Sequence, residues 1–267
     1  MGLRDFPRAL LVPPDICWAL VWRVFRRNLL IFRKTWKANL VFNIIDPVFY
    51  LWAMGIGLGG FVSRVQGLTY LEFLAPALVA SSAMFASAYE MTYGSYTRMA
   101  VQKSFQGMVA TPVSLDDVVC GELLYGTFKG VLYGSVFLCV VAAFGVVRSA
   151  WALAVPVPLL LTVGVISVLS LVWTSIAPGF DSFEYFFTLF ITPMFFFSGI
   201  FFPLDVLPEA VRRLAWFMPL YHAVEAVRPL VLGRVTPAVA GHLAWLAAFL
   251  LLSARLPLLM IRRRLIQ

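Results

Sequence analysis

Six stretches are apolar and almost free of charge, at about 40–60, 71–93, 120–147, 152–177, 184–200 and 238–261. Each is near the roughly 20 residues a helix needs to cross a bilayer. In lipid only a helix or a closed barrel satisfies its own backbone, so all six are predicted to be transmembrane helices. The third follows "TPVSLDDVV", where Ser114 and Asp117 have capping-box spacing and Pro112 blocks an earlier start. Arg148 and Ser149 mark the turn into the fourth, and "APGFDSFE" marks the turn into the fifth.

Residues 15–38 carry a different pattern. Trp18, Trp22, Phe25, Leu29, Phe32 and Trp36 form one helical stripe, and Arg23, Arg26, Arg27, Arg33, Lys34 and Lys37 lie beside it. A Trp-rich face next to a basic face predicts a helix lying in the membrane surface, held by anionic headgroups. Between the fifth and sixth stretches, residues 201–232 are too polar to span. Prolines 203, 208, 219 and 229 divide them into two short amphipathic helices. Glu209 early and Arg212 and Arg213 late suit the helix dipole. Broken backbone at membrane depth is tolerated only against protein or a cavity, so this hairpin is expected to re-enter the mouth of the bundle.

Composition agrees: 61% of the 267 residues are hydrophobic, 13% are charged, and the mean hydropathy is +0.89. Soluble domains hold about 25% charged residues. Cys17, Cys120 and Cys139 form no ligand spacing, and "MGLRDFPRALLVPPD" lacks the core of a signal peptide. With both ends on the cytoplasmic side, thirteen Lys and Arg fall inside and six outside. The positive-inside bias therefore favours cytoplasmic N- and C-termini.

No Walker A loop, HExxH or GxSxG is present, which leaves an enzyme without a motif. His222 and His242 lie far apart in sequence, and "HAVE" alone does not make a metal site. In the third span Gly126, Gly130 and Gly134 repeat every four residues and allow close helix packing. Glu122, Tyr125, Lys129 and Tyr133 form a polar and aromatic stripe beside them. Lys129 either faces the bundle interior and an aqueous path, or snorkels to the headgroups toward Glu122 or Glu90. The fifth span is rich in Phe, with Phe190 and Phe197 among them, and Pro193 is expected to kink it. Such rings guide a sugar or acyl chain, or else face lipid and core. Tyr221, His222, Glu225 and Arg228 either touch substrate or hold the hairpin together, the second being the favoured reading.

Two segments carry a family resemblance. "FFFSGIFFPLDVLPEAVRRLAWFMPLYHAVEAVRPLVLG" and "TRMAVQKSFQGMVATPVSLDDVVCGELLYG" resemble the type-2 ABC exporter permeases, nearest the nodulation-factor exporter branch. The resemblance covers nearly the whole chain and implies one six-helix domain over residues 1–267. It implies a homodimer with two cytoplasmic ATPase subunits, which bind the ATP and magnesium. No cofactor is expected in this chain, and no nucleic-acid partner. Residues 94–119 would hold the segment that docks on the ATPase, with Arg98, Lys103, Phe105, Gln106 and Pro112 available for contact. Glu122, Tyr125, Lys129, Tyr133, Phe190 and Phe197 would line the path, and the hairpin would close its outer end. The expected substrate is an amphiphilic, lipo-oligosaccharide-like glycan-lipid in a bacterial inner membrane. Polysaccharide, lipid-carrier or hydrophobic-drug export is the variant reading, and an ion-coupled transporter or channel is the other class.

Overall fold

The computed structural model describes residues 15–62 and 64–265, which leaves Arg4 and Arg8 of the expected inside charge outside the described residues. Among the described residues the chain is helical: α1 Trp18–Tyr50, α2 Tyr70–Tyr89, α3 Ser104–Val109, α4 Leu115–Ala143, α5 Pro156–Ile176, α6 Ser182–Phe186, α7 Thr192–Phe197, α8 Glu209–Trp216, α9 Pro219–Leu232, α10 Ala238–Ser253 and α11 Leu256–Leu265. Four continuous helical stretches are long and apolar enough to cross a membrane: Tyr70–Val101, Leu115–Ala143, Ala150–Ile176 and Ala238–Leu265. Ser182–Phe197 is apolar but shorter.

The surface helix expected at 15–38 and the span expected at 40–60 are one unbroken element. α1 runs from Trp18 to Tyr50 and continues in wider turns over Leu51–Gly57 and a tighter one over Leu58–Gly60. No proline or glycine lies between Cys17 and Asp46, so nothing breaks the backbone ladder where the two parts join; Pro47 removes one donor further along, inside the helix. The buried line of its first half is Val21, Val24, Phe25, Asn28 and Phe32, whereas Trp18, Trp22 and Trp36 are exposed. The tryptophan stripe is therefore turned partly outward, and Phe25 and Phe32 meet Tyr125, Phe128 and Tyr133 of α4.

α2 is the central helix. Phe73, Leu74, Ala77, Ala80, Ala83 and Met84 have no exposed surface, and the helix packs on α4, α5 and α9. Thr69 and Glu72 close its start as a capping box, and Arg148 pairs with Glu72 to bring the α4–α5 turn to the same end. The capping box read from Ser114 and Asp117 starts α4 as expected. α4 then lies close against α2 because its glycines carry no side chain. A Cβ on Gly130 would stand 2.8 Å from the Ala83 carbonyl oxygen and 2.5 Å from Val163 Cγ1.

Pro193 does not simply kink one helix. It opens α7 after a wide turn at Phe187–Ile191, which absorbs the missing donor. α9 passes through Pro229, where an end was expected, and stops at Gly233, whose φ of 75° only glycine adopts without strain. At the opposite end, Arg262 binds Asp116 at 2.7 Å, and the Cys17 amide donates to Asp117 Oδ1 at 2.7 Å. Arg264 donates to the last carbonyls of α5, on Thr174 and Ser175. The starts of α1 and α4 and the ends of α5 and α11 thus share one face.

Gly130→Ala should cost about 1–3 kcal/mol by overpacking α4 against α2. Gly107, with open space around its Cβ position, serves as the control. Thermal melting of the detergent-solubilised chain should fall for Gly130→Ala and hold for Gly107→Ala.

Candidate functional site

Between α1, the end of α2 and α4, two carboxylates and two cations are buried together. α2 widens at Glu90–Gly94 and again at Thr97–Val101, five-residue turns that carry the helix past its expected end. The first turn folds the Glu90 carboxylate over Gly94, where a Cβ would stand 2.4 Å from Oε1. Glu90 then meets Arg98 Nη1 at 2.7 Å and Lys129 Nζ at 2.5 Å.

Glu122, with no exposed surface, accepts from Asn28 Nδ2 at 2.7 Å and Ser95 Oγ at 2.8 Å. It also accepts from Arg98 Nε at 3.0 Å and Nη2 at 2.6 Å. The guanidinium lies 5.5 Å from the Tyr125 ring and the Lys129 ammonium 6.0 Å from the Tyr133 ring. The cluster is neutral as a whole. Removing one member strands a charge, at about 3–5 kcal/mol.

These contacts place the expected path residues Glu122, Tyr125, Lys129 and Tyr133 among the packed helices of the chain itself. Phe190 and Phe197 lie on its outside, and Phe190 rests 5.7 Å from Trp173. Among the expected coupling residues, Lys103, Gln106 and Pro112 are exposed, Phe105 is buried, and Arg98 points into the cluster. Arg27 reaches from α1 to Ser104 Oγ at the start of α3, at 3.0 Å.

The hairpin residues hold α9 in place. Arg228 donates to the Phe73 carbonyl at 3.2 Å and the Gly199 carbonyl at 2.7 Å, with its guanidinium 4.0 Å from the Phe73 ring. Glu225 accepts from Arg228 at 3.3 Å. His222 Nε2 donates to the Trp216 carbonyl at 2.7 Å, which leaves Nδ1 to accept from His242 Nδ1 at 2.9 Å. The ring of His222 stacks 4.0 Å from Trp245, and Tyr221 packs edge-on against both imidazoles. The two histidines are therefore neighbours, although 20 residues apart. Among the described residues no group of three or more His, Cys, Asp or Glu side chains could hold a metal ion.

The sequence reading did not pick out Asn28, Ser95 or Gly94. Glu90, Gly94 and Arg98 recur every four residues along α2, and Asn28 is a lone amide on an apolar face, so both signals were present.

The family model described as "ABC-2 type transporter" matches residues 19–232. The chain belongs to this family. Among relatives of this ABC-2 chain, nodulation protein J of Rhizobium leguminosarum bv. viciae is 36% identical, with 100% of both chains covered. Nodulation protein J of Rhizobium meliloti (strain 1021) is 35% identical over 93% of this chain and 94% of the relative. More distant is the inner membrane transport permease YadH of Escherichia coli (strain K12), 22% identical over 79% of this chain and 82% of its own length.

Arg98→Met leaves Glu122 without its cation and should lower stability by about 3–5 kcal/mol. Adding Glu122→Gln removes the stranded charge while Glu90 keeps Lys129, so the double variant should melt above the single one. Thermal unfolding in detergent measures both, and equal melting of Arg98→Met and the unmodified chain would remove the cluster from the account of stability.

Proposed function

We propose that this chain is the membrane permease of an ATP-driven exporter. It works as two copies beside two cytoplasmic ATPase subunits, which bind the ATP and magnesium. The match to the ABC-2 type transporter family over residues 19–232 carries the reading. The proposed substrate is an amphiphile with a glycan head and a lipid tail, leaving the cytoplasm or the inner leaflet of a bacterial inner membrane.

In this reading the outer half of α1 and the Ser182–Phe197 segment complete six crossings, and α8–α9 form the outer re-entrant hairpin. Arg262, Arg263 and Arg264 share an end with the basic first half of α1, which supports cytoplasmic termini. The same basic face would hold anionic lipid. Tyr89, Tyr185, Phe190, Phe196 and Phe197 leave an exposed aromatic wall on α2 and the α6–α7 segment. Two such walls facing one another would line a path for an acyl chain between the copies.

Lys103, Gln106 and Pro112 would meet the ATPase, being exposed around α3. Phe105 beneath them anchors α3 in the core. A push on α3 would reach α1 through Arg27 and Ser104, and reach α2 and α4 through Arg98 and Glu122. This subunit would make and break no covalent bonds.

Purification of the tagged chain from its own membranes should bring down a protein with a GxxxxGK[ST] loop. The combined variant Lys103→Glu, Gln106→Ala, Pro112→Ala should lower ATP-dependent export at least tenfold, with the melting temperature unchanged. Full export by that variant would remove the proposed contact. Export driven by an ion gradient without an ATPase would replace the exporter reading altogether.

A further inference from the structure

A cleft of about 240 Å³ opens between α1, α2 and α7, and Asp46, Tyr50, Ser82, Phe85, Tyr89 and Phe196 are among its lining residues. Asp46 is exposed there and has no cation partner among the described residues. Ser82, on the cleft wall, is 3% exposed, and its hydroxyl is buried without a hydrogen-bond partner. Ser82 follows the start of α2 by twelve residues, which is about 18 Å along a helix. It lies well inside the 32-residue stretch Tyr70–Val101 that is long enough to cross a membrane. Asp46 across the cleft is therefore a carboxylate near the middle of the hydrocarbon. Such a group ordinarily faces a cavity and is paired there.

The surrounding rings form a continuous rim. Tyr50 and Phe195 are 5.8 Å apart, Phe195 and Phe85 5.3 Å, and Phe85 and Tyr89 6.4 Å. Ring faces are electron-rich and attract cations, as the carboxylate does. An anionic headgroup would be repelled. A neutral sugar could stack on the rings and donate to Asp46, but it would leave a net negative charge at membrane depth. The cleft admits an ammonium head or a single sugar ring, and the charge chooses between them.

We propose that this cleft binds the protonated amine of an amphiphile. Asp46 is the counter-ion, and the aromatic rim surrounds the ammonium. The tail then lies along the exposed Phe wall. This rests on the permease reading for the amphiphile's role as cargo, and it names a cationic group that the bound amphiphile carries. The site itself rests on Asp46 and the rings alone.

Equilibrium binding of tritiated decylamine to the full-length chain in zwitterionic lipid nanodiscs, corrected for empty nanodiscs, tests it without an ATPase. Saturable binding is expected, competed by unlabelled decylamine but not by decyl glucoside. Asp46→Asn should weaken binding at least tenfold, Asp46→Glu should stay within threefold, and Tyr89→Leu should weaken it about fivefold. No saturable binding, equal competition by decyl glucoside, or unchanged binding by Asp46→Asn would each overturn the proposal. If Asp46→Asn does not fold, the competition and Asp46→Glu still decide. Decylamine binding without a co-purifying ATPase would sink the exporter reading and leave this one standing. The reverse pair of results would sink only this one.

Discussion

Two carboxylates and two cations, shut away from water between three helices, impose the strictest condition on this chain. An isolated ion in such a place costs several kcal/mol after every relaxation open to it. Glu122 is affordable only because Asn28, Ser95 and Arg98 all donate to it. Arg98 in turn needs Glu90, and Glu90 holds Lys129. Those dependences fix α1, α2 and α4 at one mutual depth. They also account for local backbone that would otherwise look irregular: Gly94 makes room for Glu90, and the wide turns carry Arg98 to a point where both carboxylates are in reach.

The opposite end is pinned by a second set of polar bonds with different chemistry. Arg228 ties α9 to backbone carbonyls of α2 and of the turn after α7, and two histidines and Trp216 tie α8 and α9 to α10. Between the two ends the helices are held by fit, with glycines of α4 lying against Ala83, Leu159 and Val163. This division follows from the solvent. Lipid gives apolar surfaces little reason to associate, so close packing and buried polar bonds must supply the adhesion. It also allows the aromatic surface of α2, α6 and α7 to stay bare in a single chain, since no drive to exclude water acts on a surface that faces lipid.

Four long helices were legible as apolar runs, because a helix that crosses lipid is apolar over most of its length. The start of α4 was legible to the residue, since Ser114 and Asp117 encode it within one turn. The merging of the surface helix with the span after it was not, because charge and tryptophan report the surroundings of a helix and not its continuity. The extension of α2 to Val101 was hidden for a related reason. Arg98 was assigned to the ATPase-docking segment 94–119, and only its partners Glu90 and Glu122 reveal it as turned inward. Lys129 was singled out as unusual, with Glu122 and Glu90 both named as partners; the choice of Glu90 depends on a register between α2 and α4 that no local pattern states. The two histidines looked unrelated for the same reason, their contact being made by a turn between α9 and α10.

The placement of these bonds decides where the molecule can yield. Sliding α1, α2 or α4 past one another near the cluster would strand a charge, so the three helices move there as one body. The Ser182–Phe197 segment has no comparable anchor along its length. It joins the core through rings, through Ile191 and Met194, and through a bond from Trp173 Nε1 to the Ser182 carbonyl, and it is already interrupted at Phe187–Ile191 and Pro193. α10 and α11 are likewise separated by a break after Ser253, and α10 turns Leu251 and Leu252 outward. Stiffness thus lies next to α3, the exposed short helix tied to α1 through Ser104, and compliance lies beside the aromatic wall. In the proposed exporter a displacement of α3 would pass first to α1 and the charged cluster, and then to the segment where the rings pack.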